Sequence, residues 1–113
     1  MSKREQAIIW VTKSTRERYK ELKDKLGANS VGDLVGAVLL HKHDFISIIE
    51  HYVVDDYNAT IAISKHVLES IRADYWGMRG IHIKTYTNAI LEHCAKDLEL
   101  VTKIWMDSKN DKN

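Results

Sequence analysis

The alternation of apolar and polar residues near the start of the chain predicts a short β-strand at Ala7–Lys13. This segment is rich in β-branched residues, which favour strands. Successive side chains of a strand point to opposite faces, so the segment has two faces of different composition. One face carries Ile9 and Val11, and the other carries Ile8, Trp10 and Thr12.

A helix follows the strand directly. Ser14 and Thr15 are both able to cap it, because a hydroxyl oxygen accepts a hydrogen bond from the first turn of a helix. Gly27 supplies the left-handed residue that ends it. The buried stripe is predicted from residues at helical spacing: Thr15, Tyr19, Leu22 and Leu26.

A second helix is expected to begin at Asn29 or Ser30. An apolar stripe continues from Val31 to Tyr52 without a breaker, which predicts one helix of about 33 Å. Gly32 and Gly36 lie one turn apart within it. Each glycine costs about 1 kcal/mol relative to alanine in a helix, so the pair indicates the close approach of another backbone.

The same strand, short helix and longer helix return 52 residues later, starting at Ala59. Most apolar positions match after this shift while exposed positions diverge, as expected of two copies that keep one packing plan. Position 22 is an exception, because Leu22 falls on Asp74, where Tyr75 or Trp76 can fill the space. The matches include Ile9 with Ile61, Val11 with Ile63, Lys13 with Lys65, Val31 with Ile83, Val38 with Ile90 and His41 with His93.

This pattern resembles the ribbon-helix-helix, or MetJ/Arc-like, family in a tandem form. The resemblance covers Ala7–Lys42 and Ala59–Cys94, and it implies a mainly α fold with a short antiparallel β-ribbon. Residues 1–56 would form the first repeat and residues 57–113 the second, with one shared core and extended second helices. The two repeats would pair within one chain or with a second copy in a homodimer.

The family binds double-stranded DNA by placing the ribbon in the major groove, with phosphates held at the starts of the second helices. The resemblance therefore implies two sets of DNA contacts in this chain. The groove-facing set is Ile8, Trp10, Thr12, Thr60, Ala62 and Ser64. The phosphate-binding set is Lys3, Arg4, Lys13, Asn29, Ser30, Lys65, His82 and Lys84.

Positive charge is concentrated in the first 25 residues, although the net charge of the whole chain is only +1. Residues 1–25 hold eight of the 17 basic residues against four acidic ones, a net charge of +4. The remainder carries nine basic and twelve acidic residues, a net charge of −3. A basic segment attracts polyanions, although a solvated helix face rich in lysine and glutamate has the same composition.

Composition predicts a cytoplasmic protein that does not enter a membrane. No apolar run approaches the roughly 18 residues that span a bilayer, and the start of the chain lacks the apolar core of a signal peptide. Cys94, the single cysteine, excludes an internal disulfide and is predicted to be a small core residue.

No metal, cofactor or catalytic site is expected. The six histidines lack the i, i+4 spacing of helical metal ligands: His41 and His43 are two apart, and His93 is next to Cys94. The chain also lacks a nucleophile elbow and a phosphate-cradling glycine loop. Trp10, Trp76 and Trp105 are able to stack on bases, but tryptophans near apolar stripes are more often core or interface residues.

The favoured function is DNA binding, as a small transcriptional repressor or a relaxosome-like accessory factor. The alternative is a protein-interaction module on the same fold, such as a phage- or plasmid-encoded inhibitor of a host protein. The alternative arises because Ile8, Trp10 and Ala62 offer no polar head to a base edge.

Overall fold

A computed structural model describes residues 6–41, 48, 58–75 and 83–110. Within these residues the chain is mainly helical with a two-stranded antiparallel sheet, as the sequence predicts. The bounds of the strands are β1, Gln6–Val11, and β2, Ala59–Ser64. The bounds of the helices are α1, Lys13–Leu26; α2, Val31–Leu40; α3, Lys65–Tyr75; α4, Ile83–Ala95; and α5, Leu98–Asn110.

The two strands pair with each other inside the chain and form a β-ribbon. The register runs from Gln6 opposite Ser64 to Val11 opposite Ala59, with Ile9 opposite Ile61 at the centre. Alternate residues on both strands face inward; five of these six inner residues are at most 5% exposed, and Ala7, near the open end of β1, is partly exposed. Burial of one face fixes the register, because a slip of one residue would turn every inward side chain to solvent.

The helices pack beneath the ribbon so that each half of the chain lies against the other. Helix α2 packs mainly against β2, and α4 packs against β1. Helix α1 reaches α4 through two hydrogen bonds: the Tyr19 hydroxyl donates to the Leu91 carbonyl at 2.7 Å, and Arg18 Nε donates to the Ala95 carbonyl at 3.2 Å. The two halves therefore share a single core.

Helix α1 begins earlier than expected. Thr12, and not Ser14 or Thr15, is the N-cap residue, and its hydroxyl oxygen accepts from the Thr15 amide at 3.2 Å. The start expected from the sequence was wrong because three hydroxyl residues lie together and each one fits a cap. The helix ends as predicted at Gly27, whose φ of 71° is left-handed. Tyr19 and Leu22 of the expected stripe are fully buried, Thr15 is 4% exposed, and Leu26 is partly buried.

The prediction of extended second helices was wrong in both halves. Helix α2 stops at Leu40, and His41 takes an extended backbone with φ −70° and ψ 146°. The second long helix breaks after Ala95, and Asp97 starts α5 by accepting from the Leu100 amide at 3.1 Å. An apolar stripe continues across such breaks because the helices on either side both face the core, so periodicity alone misses them.

The glycine prediction is confirmed at Gly32. A Cβ atom at this position would clash with the carbonyl oxygen of Ala62, so α2 touches the backbone of β2 there. At Gly36 a Cβ would meet only the Val67 side chain, 3.3 Å away. Only a residue without a side chain permits the first contact.

Trp10 and Trp105 differ in how far their side chains are exposed to solvent. Trp105 is 9% exposed and Trp10 is 44% exposed, whereas Trp76 lies outside the described residues. Cys94 is fully buried, as expected. In the part of the chain that the structure describes, no helix combines the length and the apolar character that a bilayer crossing requires.

Candidate functional site

The outer side of the ribbon is the main exposed surface on which the predicted residues meet. We call it the ribbon face. Three cross-strand pairs form it, one polar, one apolar and one mixed: Gln6 with Ser64, Ile8 with Ala62, and Trp10 with Thr60. Side chains directly opposite each other on an antiparallel pair lie close enough to act as one surface.

Five of the six residues predicted to face a DNA groove lie on the ribbon face. The sixth, Thr12, does not, and this part of the prediction was wrong. Thr12 is 6% exposed, and its hydroxyl caps α1 and donates to the Thr15 hydroxyl at 2.7 Å. Gln6 takes the third place on β1. Strand alternation would have predicted this position, because Gln6 is two residues before Ile8 and so lies on the same face of the strand.

The centre of the ribbon face is apolar. Ile8 is 60% exposed and Trp10 is 44% exposed, and both are among the large hydrophobic residues that are exposed in the described chain. Isolated surface hydrophobic residues are ordinary, but adjacent ones on one rigid element form a contact surface.

Three exposed lysines lie at helix starts next to the ribbon. Lys13 opens α1 two residues after the end of β1, and Lys65 opens α3 directly after β2. Lys84 is in the first turn of α4, and its Nζ atom lies 5.9 Å from the centroid of the Trp10 ring. A cation at this distance from an indole face is attracted by the ring. The lysines thus bring positive charge to both ends of the ribbon.

The predicted phosphate-binding residues are divided between described and undescribed parts of the chain. Ser30 caps α2 by accepting from the Asp33 amide at 3.1 Å, and Asn29 beside it is exposed. Because Gly32 touches Ala62, this helix start lies next to the ribbon. Lys3, Arg4 and His82 lie outside the described residues.

Asn88 positions the ribbon from below, and the sequence analysis missed it. Its side chain is fully buried on α4. Oδ1 accepts from the Thr12 amide at 3.2 Å, and Nδ2 donates to the carbonyls of Trp10 at 2.7 Å and Lys84 at 3.0 Å. These bonds join the end of β1 to the start of α4. The sequence did contain a clue to this role. Asn88 is an amide residue within the apolar stripe of a helix, and a buried amide needs hydrogen-bond partners.

Metal-binding clusters and the single cysteine are two further features of the described chain that bear on its chemistry. No cluster of three or more histidine, cysteine or acidic residues is placed to hold a metal ion within the described ranges. Burial, together with the nearby Asp97 carboxylate, raises the pKa of Cys94 to about 12. The thiol therefore stays protonated near neutral pH and is a poor nucleophile.

A wide depression of about 740 Å³ lies between α2 and α5, beside the Ser64 end of the ribbon. Its apolar wall includes Gly36, Val67 and Trp105, and Asp33 and Asp107 also line it. Trp105 is nearly buried, and its Nε1 atom has no acceptor within the described chain.

Comparisons of the chain with protein-family models, with curated proteins and with solved structures give no match.

Proposed function

We propose that this chain is a tandem ribbon-helix-helix protein that binds double-stranded DNA through the ribbon face. In such a protein the two repeats pair about a pseudo-two-fold axis. The strand register supports this arrangement, because a shift of 52 residues makes Ile61 the equivalent of Ile9, and these two residues are paired. A ladder centred on a pair of equivalent residues is what two related strands would form.

Burial supports the repeat beyond the ribbon. Equivalent positions of the two halves are buried together along the strand, the first helix and the second helix. These pairs are Ile9 and Ile61, Val11 and Ile63, Thr15 and Val67, Tyr19 and Ile71, Leu34 and Tyr86, Val35 and Thr87, Val38 and Ile90, and Leu39 and Leu91. Agreement through three elements in one register supports two copies of one unit over a chance likeness between amphipathic helices.

The start of each second helix contacts a ribbon strand at an equivalent position, although the residues in contact differ. Gly32 touches the backbone of Ala62, and Lys84 lies over the ring of Trp10. After the 52-residue shift, Gly32 is equivalent to Lys84, and Ala62 is equivalent to Trp10. The start of each second helix therefore meets the same position on the opposite strand.

The observation that carries the DNA proposal is an exposed ribbon with cations at both of its ends. A two-stranded ribbon fits the B-DNA major groove, and Lys13, Lys65 and Lys84 are positioned to approach the phosphates on either side. Phosphate contacts supply most of the affinity of such a complex and set its orientation. The corresponding role is that of a small repressor or a relaxosome-like accessory factor.

The test measures the affinity of the purified chain for random duplex DNA across a salt series, by fluorescence anisotropy. Replacing Lys13, Lys65 and Lys84 by alanine should lower the affinity at least tenfold at low salt. It should also reduce the slope of log K against log salt by roughly 2 to 3, because about 0.9 counterion is released per phosphate contact.

A matched variant carries alanine at Lys25, Lys96 and Lys103. These three lysines are exposed and are not at the helix starts beside the ribbon. The variant has the same net charge as the test variant and should bind DNA like the parent chain. Equal losses in both variants, or no binding by the parent chain at low salt, would refute the proposal.

The exposed apolar pair Ile8 and Trp10 favours a second candidate, a protein partner bound on the ribbon face. Aromatic residues at the centre of a rigid surface are typical anchors of protein interfaces. A photo-crosslinking residue at position 10 should then form an adduct with one protein partner. The same residue at Met106, which is 54% exposed on α5, should not. Equal labelling from both positions would argue against this candidate.

A further inference from the structure

Equivalent positions on the two halves of the ribbon face carry unlike side chains. Ile8 on β1 corresponds to Thr60 on β2, and Trp10 corresponds to Ala62. The pseudo-two-fold axis through the Ile9–Ile61 pair thus relates an aliphatic residue to a hydroxyl residue and an indole to a methyl group. The buried face keeps matching residues while the exposed face does not.

The helix starts beside the ribbon differ in charge as well. The first turn of α4 carries Lys84 next to Thr85, whereas the equivalent turn of α2 carries Gly32 next to Asp33. Lys84 and Asp33 are both exposed. A phosphate is favoured at a helix N-terminus and by a lysine, but an aspartate there repels it. The start of α4 is therefore better suited to an anion than the start of α2.

We propose that a single chain reads a non-palindromic duplex sequence in one fixed orientation. This inference rests on the proposed DNA binding and adds the class of site. A two-fold symmetric protein requires a palindromic site because its two halves present identical groups. Here the halves are joined in one chain and present different groups, so the preferred bases differ on the two sides of the centre.

The ribbon face also indicates which bases are preferred. Ile8 and Ala62 face each other across the ribbon, and such apolar side chains contact the methyl group of thymine. Gln6 lies at one corner, opposite Ser64, and a glutamine side chain is able to pair with both hydrogen-bonding atoms of adenine. The site is expected to combine thymines near its centre with an adenine on one side only.

Selection from a library of duplexes with a random central segment tests the proposal, with the full chain as the selecting protein. The expected result is one enriched sequence that differs from its reverse complement and binds one chain per duplex. An enriched palindrome, two chains per site, or binding without enrichment would overturn the inference and leave DNA binding intact. Failure to bind any duplex at low salt would overturn the proposed function itself.

Two substitutions test the fixed orientation on the selected duplex. Lys84→Ala should weaken binding several-fold and lower the salt slope by about 1, as expected for one lost phosphate contact. Asp33→Thr installs the residue of the other half and should strengthen binding several-fold. Ethylation of the backbone phosphates gives the matching readout: Lys84→Ala should abolish interference at one edge of the site alone. Equal changes at both edges would contradict the orientation.

Discussion

Asn88 holds the end of the ribbon through its buried amide, although it lies outside the ribbon itself. One side chain hydrogen-bonds both the Thr12 amide and the Trp10 carbonyl, two backbone groups at the end of β1. Buried backbone groups that lose their partners cost about 1 to 3 kcal/mol each. The position of Trp10 on the ribbon face therefore depends on a residue 78 positions away.

Asn88→Ala should lower the free energy of unfolding by about 3 kcal/mol, measured by chemical denaturation. Thr87→Val is the matched control. Thr87 is 1% exposed, but its hydroxyl donates only to carbonyls of its own helix, at Ile83 and Lys84. The control should lose less than about 1 kcal/mol. Equal losses in the two variants would show that the bonds of Asn88 to β1 contribute little.

Cys94 and Tyr19 make the fold sensitive to alkali. Burial raises the pKa of Cys94 from 9.0 to about 12, and burial also raises the pKa of Tyr19 well above 10.0. Both groups are neutral in the folded chain at pH values where the unfolded chain has already lost their protons. Their contribution to stability is complete below pH 9 and is lost as the pH rises toward the folded-state values.

Between pH 9 and 10 the unfolding free energy should decrease with pH mainly because of Cys94, by up to about 1.4 kcal/mol per unit. Cys94→Ala should remove that part of the slope, measured by denaturant titrations at closely spaced pH values. Tyr19→Phe should leave the slope between pH 9 and 10 unchanged and reduce it only above pH 10. A parent-like slope for Cys94→Ala would contradict the assignment.

At the scale of elements, local patterns predicted the strands and the first helices well. Ile9 and Val11 alternate with exposed residues over a whole strand, and Gly27 is the only described residue with a positive φ. The ends of the second helices were not predictable from periodicity, since His41 lies in a run without glycine or proline. Asp97 is a residue type that favours a helix start. The break before it was nevertheless not predicted, because the apolar stripe continues through Val101.

The candidate site was predictable to the extent that it depends on strand alternation. Ile8, Trp10 and Ala62 follow from period two alone. Thr12 was misplaced because the strand ends at Val11, and a cap residue turns its side chain into the helix instead of following the alternation. Asn88 was missed because its partners are far away in the sequence, so no local pattern marks it.

Gly32 provides one of the contacts between the two halves, where α2 meets the backbone of β2. Gly32→Ala should destabilise the chain by about 1 to 3 kcal/mol, since the added methyl group would clash with the Ala62 carbonyl oxygen. Gly36→Ala is the control in the same helix. Its methyl group meets a movable Val67 side chain, and the better helix propensity of alanine offsets the crowding. A stabilised Gly32→Ala variant would refute the close approach of α2 to β2.

At the scale of the molecule, β1 and β2 pair within one chain, so we expect folding to need no second copy. The unfolding midpoint should therefore be the same at low and high micromolar protein concentration. The stability of an obligate dimer would rise with concentration by mass action. Calorimetry over a hundredfold range of concentration measures this. A midpoint that increases steadily with concentration would indicate that pairing between chains stabilises the fold.

The strand register has a consequence for the order of folding. Paired residues of β1 and β2 are separated by 48 positions at Val11–Ala59 and by 58 positions at Gln6–Ser64. Closing a loop of this size costs several kcal/mol of chain entropy before any ladder bond forms, whereas the helices form from neighbouring residues. During synthesis β1 emerges early and has no partner until β2 has left the ribosome. The surface proposed to meet DNA is thus among the last parts of the molecule to exist.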